Sequence, residues 1–207
     1  MAGVSESTRT APEAAALLLE QLPAVELEEL TGRWDYEAGP LPNFEGVTQL
    51  GKEDLIKIGR WKLDLRDNMG DRAAINRLHE NANEKVAAVT GAAFDAVRST
   101  PNFPSIAVAV LCTLRGVGVP MATTILTSFS PNDFGILDRR AWSCLVAVAP
   151  HLNKKNGAFL ADEVDYYETF LRCVSQECAR LGVKLTCRDI DKALWQHSAN
   201  ETKRIPR

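Results

Sequence analysis

From 103 to 114 the chain is almost wholly apolar, and two glycines two residues apart, Gly116 and Gly118, close the run. A stretch like this has no polar face to give to water, so other elements must enclose it. Its alanine content and the glycine stop predict a buried central helix rather than a strand. A second helix resumes over 121–129, and Pro131 ends the unit. The apolar run falls far short of the roughly 20 residues needed to cross a bilayer.

Around this pair the spacing predicts further helices. Residues 11–22 read as a short helix opened by Pro12 and stopped by Pro23. In 52–66, Leu55, Ile58, Trp61 and Leu65 recur at helical spacing. Helices over 71–79 and 83–99 follow, then 139–148. A long helix over 162–181 ends at Gly182, a suitable residue just past a helix end. Thr186 and Asp189 have capping-box spacing and open a last helix through Trp195. No strand pattern emerges. The expectation is an all-α, compact multi-helix fold. The glycines and prolines of 32–50 mark a boundary between a leader, 1–50, disordered over its first ten residues, and a helical body, 51–207.

Charge follows the same division. The net charge is −3, but residues 1–50 hold nine acids against Arg9 and Arg33, so the body is mildly basic. An acidic leader on a basic body is compatible with a polyanionic partner. The start of the chain lacks the basic-then-apolar pattern of a secretory signal. The five cysteines, Cys112, Cys144, Cys173, Cys178 and Cys187, are odd in number and irregularly spaced. They read as reduced thiols in a reducing compartment, which predicts an intracellular, cytoplasmic protein. No metal-ligand spacing is present, and no metal or cofactor is expected.

The turn between the two central helices has a chemistry of its own. Glycine reaches φ values closed to other residues and admits another molecule without a Cβ clash. The first amides of the following helix lack intrahelical partners, and the helix dipole stands behind them. Such a turn suits a backbone phosphate and reads no sequence. The competing reading is a plain helical corner whose glycines serve only as caps.

Leu111, Leu114, Gly116, Val117, Gly118 and Ala122 match the L-x-x-L-x-G-V-G-x-x-x-A pattern, and Asp138 stands 20 residues beyond Gly118, after Ile136 and Leu137. In these features the chain resembles the helix-hairpin-helix DNA glycosylase superfamily, as a divergent member. More loosely, 53–63 and 191–195 resemble a group related to that superfamily. The resemblance implies a glycosylase-like helical domain that binds double-stranded DNA through Arg115, Gly116, Val117, Gly118, Val119 and Met121, with Arg139 and Arg140 touching phosphates. It implies that Asp138 helps break an N-glycosidic bond once a nucleotide is flipped, by stabilising the sugar cation or activating a water.

The chain departs from that pattern in three ways. Where bifunctional members carry a Schiff-base lysine stands Pro120, so no lyase activity is expected through that position. The four-cysteine iron–sulfur cluster of some members has no counterpart. The turn itself has only Arg115 as an adjacent cation, which implies modest, salt-sensitive affinity. Trp61 and Lys62 are candidates for a pocket wall, the indole stacking on a base, although the helical register of Trp61 also suits a core role. Asp138 is equally well placed to cap the helix after it. Two readings therefore stand: a monofunctional DNA glycosylase-like hydrolase, and a non-catalytic DNA-binding or interaction protein on the same fold.

Overall fold

The computed structural model describes residues 9–33, 39–63, 72–152 and 159–204. The first eight residues of the leader, and Leu65 of the expected 52–66 helix, lie outside them. Among the described residues the structure is helical, with no strand. The helices are α1 (Ala11–Gln21), α2 (Ala24–Gly32), α3 (Lys52–Lys62), α4 (Arg72–His79), α5 (Asn83–Ser99), α6 (Pro104–Leu111), α7 (Val119–Phe129), α8 (Arg139–Val148), α9 (Ala161–Arg180) and α10 (Cys187–Arg204).

Local chemistry explains several boundaries. The Thr10 amide donates to the Glu13 carboxylate (2.8 Å) and fixes the start of α1. The α9 terminus closes with Gly182 at φ +86, while the Gly182 and Val183 amides return to the Ala179 and Cys178 carbonyls. Thr186 and Asp189 form the expected reciprocal cap of α10: the Thr186 amide donates to the Asp189 carboxylate (3.0 Å), and the Asp189 amide donates to the Thr186 hydroxyl (3.1 Å).

The apolar 103–114 segment is not the buried central helix its composition predicts. It forms only α6, and both Phe103 and Ile106 are exposed. The enclosed helix is its successor: every residue of α7 from Met121 to Ser128 is buried. Its hydroxyls make that possible. Thr124 donates to the Pro120 carbonyl (2.7 Å) and Thr127 to the Thr123 carbonyl (2.8 Å), so these two polar side chains enter the interior already satisfied, whereas the Ser128 hydroxyl has no partner.

Helix α2 has no counterpart in the sequence reading. Pro23 both ends α1 and occupies the N-cap of α2, whose Leu27 and Leu30 are buried. Helix α1 packs against α8 and α9, and α2 against α10, so both contribute to the same apolar cluster as the body. Of the paired tyrosines on α9, Tyr167 is fully enclosed, while Tyr166 lies half-buried and donates to the Arg9 carbonyl (2.8 Å). No described helix is long and apolar enough to cross a membrane.

Candidate functional site

The glycine turn, 112–118, is fastened to the end of α4. Asn81, itself buried, accepts from the Arg115 amide (2.9 Å) and returns a bond to the Arg115 carbonyl (2.9 Å). Gly116 has φ +81, and a Cβ there would lie 3.1 Å from the Leu78 backbone nitrogen and 3.0 Å from the Arg77 Cβ. Only glycine satisfies both the dihedral and the approach. Gly116→Ala is expected to lower stability by about 2 kcal/mol from the left-handed backbone and the tight contact together. Gly118→Ala, at φ −107 with open space around its Cβ, should lose less than half as much. Equal losses in urea unfolding of the two variants would contradict this account.

Gly118 is exposed, and among the described residues its amide and that of Val119 have no partner. The outward-facing set is smaller than the sequence predicts. Val117 is buried, and its amide donates to the Leu114 carbonyl (3.2 Å). Met121 is buried, and its amide donates to the Gly118 carbonyl (2.9 Å). The cause is that α7 begins two residues early: Pro120 is tolerated within the first turn, so Met121 already lies inside the helix. The cations nearby are engaged. Arg115 pairs with Glu80 (2.9 Å), and Lys85 donates to the Thr113 carbonyl (3.1 Å).

Asp138 is the N-cap of α8. Its Oδ1 accepts from the Arg140 amide (2.8 Å) and the Ala141 amide (3.0 Å), while Oδ2 has no partner among the described residues. The side chain is half-buried, with one carboxylate oxygen uncommitted. The loop before it is held amide by amide. Gly135 donates to Glu168 on α9 (3.1 Å), Ile136 to Asp191 on α10 (3.0 Å) and Leu137 to the Thr123 hydroxyl on α7 (3.2 Å). The last bond ties the residue before Asp138 to α7, the helix whose start carries the open amides.

Behind this loop lies a buried ionisable cluster that the sequence reading did not single out. Asp191 accepts from Ile136, from the Tyr167 hydroxyl (2.8 Å) and from the Arg188 guanidinium. Burial pushes its carboxyl above the ordinary range; Arg188 pulls it down, and Asp138 is near enough to push it up. Glu168 is fully enclosed, and burial raises its carboxyl well above 4.5 despite the Gly135 amide. Its Oε1 has no hydrogen-bond partner.

The remaining candidates scatter around this frame. Arg139 is exposed, and Arg140 sits over the Trp195 ring at 4.4 Å. Trp61 is half-buried, its Nε1 donates to the Gly39 carbonyl (3.0 Å), and Arg188 covers its ring at 5.7 Å. Arg188, which also holds Asp191, joins it to the Asp138 loop. Lys62 is half-buried at the end of α3. Asp138 lines none of three cavities, bordered by Ser143 and Cys144, by Ser128 and Lys192, and by Arg98 and Arg172. Cys144 and His197 border one of them, but burial pushes the Cys144 thiol up to about 11, which makes it a poor thiolate nucleophile. Among the described residues no group of His, Cys, Asp and Glu could hold a metal ion. No protein-family model, curated protein or solved structure matches the chain.

Proposed function

We propose that this protein is a monofunctional DNA glycosylase-like hydrolase that grips a duplex backbone with the Gly118–Val119 amides and uses Asp138 on a flipped nucleotide. The observation that carries the reading is the Asp138 carboxylate: it follows Leu137, whose amide is held by Thr123 on α7, and it is fixed through Oδ1 and uncommitted at Oδ2 among the described residues. A departing base leaves positive charge on the sugar, and an uncommitted carboxylate oxygen can stabilise that charge or accept a proton from the attacking water. Arg139 and Arg140, at the exposed start of α8, supply cations next to that carboxylate. Pro120 provides no amine, so strand cleavage through a Schiff base is not part of the proposal.

The test is incubation with duplexes carrying assorted damaged bases, followed by assay of abasic sites. Asp138→Asn is expected to lower excision by about 10²- to 10⁴-fold. Asparagine remains a good N-cap, so the melting temperature should hold within a few degrees. Excision unaltered by this substitution would remove Asp138 from the chemistry. The non-catalytic DNA-binding reading is favoured by one observation, the Arg115–Glu80 pair, which leaves the turn lean in free cations. Salt-sensitive duplex binding without product from any lesion would select it.

A further inference from the structure

A cavity of about 200 Å³ lies where the 40–43 segment covers the junction of α7 and α10. Its walls are partly apolar: Leu41 and the prolines at 40, 42 and 131. The polar groups around it divide into two kinds. Two are committed elsewhere, since the single proton of the Thr127 hydroxyl is shared between the carbonyls of Thr123 and Gly135 and Arg188 holds Asp191.

The others are unused. Ser128 is only 1% exposed, and its hydroxyl has no partner, although its carbonyl accepts from the Phe44 amide (2.8 Å) that ties the covering segment down. A buried hydroxyl without a partner is destabilising and is rare in a native interior. Lys192 is half-buried and has no acidic partner among the described residues. Asn43, at the exposed rim, uses its Oδ1 for the Glu45 amide (2.8 Å), which leaves its NH₂ as a donor. Among the described residues no carboxylate lines the cavity. A hydroxyl, an ammonium and an amide NH₂ against an apolar wall complement an oxyanion attached to a small apolar body.

We propose that this cavity binds a small organic anion, its carboxylate or phosphate oxygens bonded by Ser128 and Lys192 and its body set against the prolines. The site is independent of the DNA reading. Ten residues of α7 separate Ser128 from Gly118, about 15 Å along the axis.

The test is an amide-resolved NMR titration of the full chain with inorganic phosphate and, separately, sodium benzoate, at ionic strength matched with sodium chloride. Saturable shifts are expected at Phe44, Ser128 and Lys192, with half-saturation in about the millimolar range or below. Lys192→Met should weaken binding by about tenfold or more, through loss of a charge-assisted bond. Ser128→Ala should weaken it several-fold. It removes an unpartnered hydroxyl, so the melting temperature should stay level or rise, and Lys192→Met changes a half-exposed side chain. Both variants therefore report on binding and not on folding. Saturation by phosphate alone identifies a phosphate ester, and saturation by benzoate alone a carboxylic acid. The proposal is overturned if neither ion gives saturable shifts, or if Lys192→Met binds as the parent does.

Discussion

Asp191→Asn is expected to destabilise the fold by about 3 kcal/mol, the lower end of the range for breaking a buried ion pair. The carboxylate faces three donors at once: the Ile136 amide, the Tyr167 hydroxyl and the Arg188 guanidinium. Asparagine offers one acceptor oxygen, and its NH₂ would point at another donor. The substitution preserves volume, so the loss measures polar complementarity and not a cavity. Urea unfolding at pH 7 reads it directly. A loss under about 1 kcal/mol, the size of an ordinary exposed pair, would show that this cluster does not hold the loop.

Glu168→Gln should act in the opposite direction and depend on pH. Burial holds the Glu168 carboxyl well above 4.5. Below the unfolded value, both folded and unfolded chains carry the proton. Between the unfolded and folded values only the folded chain keeps it, so stability falls as pH rises, by about 1.4 kcal/mol per pH unit. Glutamine retains an oxygen for the Gly135 amide and never ionises. At pH 7 the variant should be more stable than the parent, and the two stability curves should converge towards pH 5. Parallel curves between pH 5 and 8 would mean that Glu168 is ionised in the fold.

The contrast between what the chain announced and what it concealed has physical roots. Elements fixed by local chemistry were legible: the Thr186–Asp189 cap, the Gly182 terminus and the capping position of Asp138 depend on residues five or fewer apart. Helix α2 was hidden because Pro23 was read only as a stop, although proline at a helix start is equally favourable. The order of burial between α6 and α7 was misread because composition counts hydroxyls as polar. Thr124 and Thr127 satisfy theirs within their own helix, so α7 enters the core while the more apolar α6 exposes Ile106.

The candidate site was legible in part. The glycine turn came from spacing and Asp138 from the family resemblance, but the residues that fasten them came from neither. Asn81 reaches Arg115 across 34 positions, and Asp191 reaches Ile136 across 55. No local pattern encodes such separations. One signal was available: Glu168 lies four residues after Val164 and three before Leu171, on the enclosed face of α9. An acid on an apolar stripe announces a buried polar duty, though not its partner.

The three amides that precede Asp138 are each gripped by a different helix, two of them 33 and 55 positions further along the chain. The carboxylate therefore has no address until α7, α9 and α10 have all assembled. A peptide of 103–148 would carry the glycine turn and the aspartate in full, yet hold neither in place. Long-range closure, and not the motif, is what makes Asp138 a defined point in space.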